Sequence, residues 1–145
     1  MIALLNTSKG NRVVMEIHHV GYLVKDIKKA AVSFENLGYV AEGESVYDPI
    51  RDIDILFMLN GFYRIELVSP KSPESVVADT IKKFGNSPYH ICYCCDDIKE
   101  TQIELRSKGF LPMSEILPAV AIDGRNVCFM YNRPIGIIEL VEMTT

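Results

Sequence analysis

Hydrophobic positions along the chain switch between a period of two and a period near 3.6, and they do so twice in the same order. Ile17 to Val24 alternates and is rich in β-forming residues, the pattern of a half-buried strand. Asp26 then offers a cap to a helix in which Ile27, Ala30, Ala31, Phe34 and Leu37 share one face, with Gly38 as its stop. Two β segments follow, Ile53 to Leu59 and Phe62 to Val68, around an Asn60-Gly61 pair that signals a two-residue hairpin. The second half repeats the order. Tyr89 to Cys95 reads as a strand, Asp97 caps a helix that ends at Gly109, and strands follow over Asn126 to Tyr131 and Ile137 to Glu142. Asp123-Gly124 marks another tight turn. Between the halves, Ser72-Pro73-Glu74 predicts the opening of a short helix that carries Val76, Val77, Ile81 and Phe84.

Individual residues repeat along with the pattern. His19, Tyr22, Asp26, Ile27 and Lys28 return 71 residues later as His90, Tyr93, Asp97, Ile98 and Lys99. Phe57, Met58 and Asn60 return as Phe129, Met130 and Asn132, 72 residues on, and Ile65-Glu66-Leu67-Val68 returns as Ile138-Glu139-Leu140-Val141, 73 residues on. A nearly constant offset over separate blocks implies two equivalent modules, each a strand, a helix and then several strands. The expected organisation is an N-terminal extension over 1–14, a first module over 15–70, a connector helix within 71–87 and a second module over 88–145, in one structural domain.

Parity along each strand decides what surrounds the ionisable residues. His19 shares a face with Gly21 and Leu23, His90 with Cys92 and Cys94, Glu66 with Arg64 and Val68, and Glu139 with Ile137 and Val141. These companions are mostly apolar or small, as on the inner face of a sheet. A carboxylate there is costly unless it is paired or bound to a metal. Taken singly, each histidine reads as a core residue satisfied by the backbone, and Glu66 reads as the partner of Arg64. The recurrence of the same pair in both modules favours a shared site. About a pseudo-twofold axis, His19, Glu66, His90 and Glu139 can converge on one divalent transition metal, with water completing the shell. His18 has the opposite parity and is expected to be exposed or to cap a sheet edge.

Composition narrows the classes. Among 145 residues, 15 Lys and Arg against 19 Asp and Glu give a net charge of −4, which argues against a broad basic face for nucleic acid. No apolar run approaches the roughly 18–20 residues of a membrane-spanning helix, so no membrane partner is expected. The N-terminus lacks the basic flank of a signal peptide. Three of the four cysteines, Cys92, Cys94 and Cys95, crowd together, unlike a secreted disulfide framework, and a reducing cytoplasmic setting is expected. Cys92 and Cys95 have C-x-x-C spacing but would lie on opposite faces of a strand roughly 10 Å apart. They read as small buried side chains, with a place near His90 for those on its face.

The runs from His19 to Ile27, Arg64 to Pro70, Tyr89 to Tyr93 and Ile137 to Glu142 resemble the vicinal oxygen chelate superfamily, which includes glyoxalase I and methylmalonyl-CoA epimerase. The resemblance implies an α+β fold of two tandem βαβββ modules forming a barrel-like metal-binding cup. It implies one divalent metal ion per site, with nickel, cobalt or manganese favoured and zinc or iron acceptable, at the positions of His19, Glu66, His90 and Glu139. The implied activity is movement of a proton next to a carbonyl through a metal-bound enediolate, with Glu139 as base and Glu66 sharing the catalytic role. A glyoxalase I-like lyase is the leading expectation. The alternatives are methylmalonyl-CoA epimerase and a non-catalytic small-molecule binding protein of the same fold. Either substrate, a glutathione or CoA thiol conjugate, is anionic, which makes Arg51, Arg64, Arg125 and Arg133 the candidates for binding it. Members of the superfamily often pair, so a homodimer is expected.

Overall fold

The computed structural model describes residues 15–143, so the extension expected over residues 1–14 lies outside the described residues. In chain order the elements are β1 (Ile17–Leu23), α1 (Ile27–Glu35), β2 (Val40–Ala41), β3 (Val46–Asp48), β4 (Ile53–Asn60), β5 (Tyr63–Pro70) and α2 (Ala78–Phe84). They continue as β6 (Ser87–Cys95), α3 (Ile98–Arg106), β7 (Leu111–Pro112), β8 (Leu117–Ala119), a 3-10 turn over Val120–Ile122, β9 (Arg125–Asn132) and β10 (Gly136–Glu142). All the strands join one sheet in the order β2-β4-β5-β1-β6-β10-β9-β7, with β3 also on β4 and β8 also on β9. The short pieces β2 and β3 both run antiparallel to β4 and together make one interrupted strand, as β7 and β8 do on β9. Each half therefore reads βαβββ, and the fold is α+β. The path ends at β2 and β7, which leaves the sheet an open cup and not a closed ring.

Helix boundaries follow local chemistry. The Asp26 carboxylate accepts from the Lys29 amide at 3.0 Å, and Asp97 accepts from the Glu100 amide at 3.0 Å. Gly38 and Gly109 follow α1 and α3 with φ of 99° and 94°, which a side chain would resist. The first helix is shorter than its apolar pattern predicts. It ends at Glu35, and Leu37 falls in the turn beyond it, where it is exposed. The β4–β5 hairpin is offset by one residue from expectation: Asn60 pairs with Tyr63, so the loop is Gly61-Phe62. The connector helix begins only at Ala78, because Ser72 and Ser75 spend their hydroxyls on tight turns, accepting from the Glu74 and Val77 amides.

Each face of the sheet has its own cover. On the outer face, Leu56, Met58, Ile65 and Leu67 pack under Ile27, Ala30, Ala31 and Phe34 of α1. Cys128, Met130, Ile138 and Leu140 pack under Ile98 and Leu105 of α3. Full burial of such a side chain contributes about 1.5–3 kcal/mol. The inner face holds Leu23, Ile53, Ile55 and Val68 against Val77 and Ile81 in one half, and Cys92, Val127 and Val141 against Ala119 and Ile122 in the other. Phe57 touches both inner clusters and so joins the two halves.

Candidate metal centre

Four adjacent strands, β5, β1, β6 and β10, carry the four repeated residues. At the middle of the sheet, β1 and β6 run antiparallel, with His19 opposite Cys92 and Gly21 opposite His90. On the flanks, β5 runs parallel to β1 with Glu66 opposite Gly21, and β10 runs parallel to β6 with Glu139 opposite Cys92. Two rows result, Glu66-Gly21-His90 and His19-Cys92-Glu139, related by the pseudo-twofold axis. The middle residue of each row is small and lies beneath the side chains that lean over it. A side chain at Gly21 would collide with the His90 ring. Cys92 is fully buried and lies by His19, not on the cavity wall beside His90 as expected from sequence.

The four side chains are buried and meet within a single chain. His19 Nε2 and His90 Nε2 stand 3.1 Å apart. Glu139 Oε1 lies 3.1 Å from the first and 3.2 Å from the second, and Glu66 Oε1 lies 3.5 and 3.7 Å from them. Despite these distances, Glu139 Oε1 is not aligned as the acceptor of either ring and has no hydrogen-bond partner among the described residues. Four lone-pair donors thus face one another across a common point. Ligands about 2.1 Å from a shared ion are about 3.0–3.4 Å apart in octahedral or tetrahedral shells. The separations among His19, His90 and Glu139 are of that size, and Glu66 stands slightly farther out. The donor set of two imidazole nitrogens and two carboxylate oxygens fits a divalent transition metal.

Electrostatics agree with a site built for positive charge. Burial alone would lower the His19 pKa, but the Glu66 charge and close contacts with both carboxylates outweigh it and raise it to about 9. Burial alone would raise the Glu139 pKa, but the His90 charge and contacts with both rings hold it below the usual carboxylate range. Arg64 is not the partner of Glu66: it pairs with Glu42 at 2.7 Å.

Two β-bulges flank the centre and break the alternation that sequence parity assumes. Ile17 pairs with Tyr93 and His19 with Cys92, so His18 is an extra residue in β1. Gly21 pairs with His90 and Tyr22 with Pro88, so Tyr89 is an extra residue in β6. His18 and Tyr89 are themselves 71 residues apart. The first bulge corrects the expectation for His18, which is half-buried on the His19 side, with its Nδ1 2.8 Å from His19 Nδ1. Burial, then the neighbouring His19, depress the His18 pKa to about 4. The second bulge brings Tyr89, which sequence reasoning missed, onto the cavity wall with its ring edge-on to His90. Burial, reinforced by the Glu66 and Glu139 charges, pushes its phenol well above the usual value. The only sequence signal for either residue is its position immediately before a candidate ligand histidine.

A cavity of about 320 Å³ opens above the centre, with Glu66 and Glu139 in its wall. The remainder is mostly apolar, including Ile53, Ile55, Val77, Leu117, Phe129 and Ile137. Of the four arginines expected to line it, only Arg51 does. Its Nη1 donates to the buried Asp48 carboxylate at 2.7 Å and to the Pro118 carbonyl at 3.2 Å across the mouth. Arg64 is held by Glu42 at a distance from the cavity, and Arg125 donates to the Met143 carbonyl at 2.7 Å. Arg133 is exposed in the β9–β10 turn.

Residues 18–129 match the family described as the Glyoxalase/Bleomycin resistance protein/Dioxygenase superfamily. The chain belongs to this superfamily. Its enzymes, of the vicinal oxygen chelate type, bind a divalent metal, and the resemblance read from the sequence is correct. Human mitochondrial methylmalonyl-CoA epimerase is 27% identical over 128 residues, covering 88% of this chain and 72% of the relative. The ethylmalonyl-CoA/methylmalonyl-CoA epimerase of Cereibacter sphaeroides is 23% identical over 134 residues, covering 90% and 100%. Among solved structures, a hypothetical protein, BH1468, from Bacillus halodurans superposes with a TM-score of 0.81 at 26% identity, covering 90% of this chain and 96% of that one. The fold is shared with methylmalonyl-CoA epimerase from Mycobacterium tuberculosis, with a TM-score of 0.77, 22% identity and coverage of 89% and 88%. These relatives favour the epimerase alternative over the leading expectation of a glyoxalase I.

Proposed function

We propose that the protein is a metal-dependent epimerase that inverts the carbon between a carboxylate and a thioester carbonyl, with methylmalonyl-CoA or a close homologue as substrate. The observation that carries this reading is the pair Glu66 and Glu139. They approach the same two imidazole nitrogens from β5 and β10, on opposite sides of the centre, and both border one cavity. Inversion at carbon needs a proton acceptor on one face and a proton donor on the other. A single pseudo-twofold axis supplies both. The epimerase relatives make the same suggestion from sequence.

His19, His90, Glu66 and Glu139 would hold the ion, which supplies the Lewis acidity that stabilises negative charge developing next to the reacting carbon. Glu139 takes the proton from the α-carbon, and the C–H electron pair moves into the adjacent carbonyl as an enolate. Glu66 relays a proton from water to the opposite face as that pair returns to carbon. The hydroxide left behind takes the proton from Glu139, so both carboxylates end as they began. Tyr89, with its phenol protonated, can donate to an oxygen of the bound substrate. Arg51, oriented by Asp48, offers an anion contact in the wall.

The lining also bears on the thiol carrier. A glutathione conjugate brings two carboxylates and an ammonium, and among the described residues lining the cavity Arg51 is the one Lys or Arg. The uncharged pantetheine arm of a CoA thioester suits the apolar wall better, with the acyl carboxylate as the one anion for Arg51 and the nucleotide left outside the mouth. The test is ¹H NMR of methylmalonyl-CoA in D₂O with the cobalt-loaded protein. The methyl doublet should collapse to a singlet as the α-hydrogen is replaced, and inversion should accompany exchange. Absence of exchange, with turnover of the methylglyoxal–glutathione hemithioacetal instead, would return the protein to the glyoxalase reading.

A further inference from the structure

We propose that His18 is a positioning residue that fixes the His19 imidazole as the tautomer with hydrogen on Nδ1, so that the Nε2 lone pair faces the metal position. The inference rests on the metal-site reading but is independent of the substrate. The two rings meet Nδ1 to Nδ1 at 2.8 Å, a separation that requires one hydrogen between the two nitrogens. If His18 held it, a neutral His19 would carry its own hydrogen on Nε2, aimed at His90, Glu66 and Glu139, and could not act as a ligand. With the hydrogen on His19 and His18 accepting, Nε2 is free. An ion at the centre therefore selects the second arrangement, and His18 is the acceptor that supports it.

Geometry shows why His18 can do this and why its pseudo-symmetric counterpart cannot. The β1 bulge places His18 and His19 on one side of the strand, and Phe57 stands edge-on to both rings, with centroids 6.0 and 5.2 Å away. Across the axis the bulge residue is Tyr89. Its ring also stands edge-on to its histidine, but His90 Nδ1 is buried with no hydrogen-bond partner among the described residues. The two ligand histidines are thus inequivalent. His19 is set before the ion arrives, and His90 is not.

Zinc affinity, measured by competition with a chromophoric chelator, and ¹⁵N NMR of the zinc-loaded protein test this. His18→Phe keeps the ring volume but cannot accept, and should weaken zinc binding by about 10–100-fold, as loss of an outer partner of a metal ligand does. His18→Asn restores an acceptor oxygen and should recover affinity to within a few-fold. A bonded hydrogen on His19 Nδ1 should be seen in wild type and His18→Asn and lost in His18→Phe. Wild-type affinity in His18→Phe would overturn the proposal. So would a second zinc equivalent that vanishes with His18, which would make His18 a ligand beside Cys92. If the unaltered protein bound no zinc, the metal-site reading would fall and this inference with it, an outcome distinct from unchanged affinity in the variant.

Discussion

Gly21 and His90 face each other across the β1–β6 pairing, and the imidazole occupies the space that a side chain on Gly21 would fill. Gly21 is not among the glycines with positive φ, so the requirement is for room and not for an unusual backbone. Gly21→Ala should push the His90 ring out of the centre and remove one of four ligands. Metal affinity should fall by about 100-fold or more, and overpacking should cost about 1–3 kcal/mol. At the equivalent position in the other row, Cys92→Ala removes only the sulfur and should bind metal to within a few-fold of wild type. Chelator competition and thermal melts of the two variants check both outcomes. Full metal occupancy in Gly21→Ala would show that His90 does not depend on that space.

The two glutamates can be separated by following exchange and inversion together. Glu139→Gln should lose both by about 10²–10⁴-fold, the usual contribution of a general base. Glu66→Gln should still wash the α-hydrogen of methylmalonyl-CoA into D₂O, because Glu139 remains, yet fail to invert the carbon. Wild-type epimerisation by Glu66→Gln would remove Glu66 from the proton path and leave it as a ligand alone.

The meeting of these four candidate ligands was legible because two independent regularities in the sequence coincide on them. The repeat offset links His19 to His90 and Glu66 to Glu139, and strand parity puts each beside inward-facing residues such as Leu23, Val68 and Val141. Parity failed at His18 and Tyr89, where one extra residue in each strand re-aims a side chain, and no local pattern of polar and apolar residues records a bulge. The arginines failed for a different reason. Arg64 is taken by Glu42, 22 residues away, and Arg125 by the Met143 carbonyl, partners that only the assembled sheet brings close. Arg51 is oriented by Asp48, three residues before it, a contact short enough to have been read in advance. The choice between glyoxalase and epimerase was beyond the ligand set, because both chemistries use the same proton step.

Stability and metal affinity should depend on pH in opposite directions. The His19 pKa is raised from 6.5 to about 9 in the folded metal-free protein. The stabilisation from its protonation is therefore complete below about pH 6.5 and lost as the pH rises through about 9, on the order of 3 kcal/mol in all. Metal needs His19 Nε2 without its proton, so binding releases that proton, and affinity should rise about tenfold per pH unit up to about pH 9. Thermal melts of chelated protein and zinc competition titrations from pH 6 to 9.5 read the two trends. A flat zinc affinity over this range would mean that no proton is displaced from His19.

Arg51 should govern substrate capture and not the proton step. Its Nη1 is committed to Asp48 and to the Pro118 carbonyl, and among the described residues no partner engages its Nε or Nη2, so these can meet an anionic or carbonyl oxygen in the cavity. Arg51→Met keeps the length of the stem but removes the donors. KM for the acyl-CoA should rise by about tenfold or more, the equivalent of losing one charge-assisted hydrogen bond, with kcat little changed. Asp48→Asn provides the matching control. Its amide oxygen can still accept from the Ile50 and Arg51 amides, but its NH₂ faces the guanidinium, so the fold should survive while Arg51 loses its fixed direction. The same rise in KM is expected there. A fall in kcat without any change in KM, in either variant, would place Arg51 at the reacting carbon and not at the substrate's periphery.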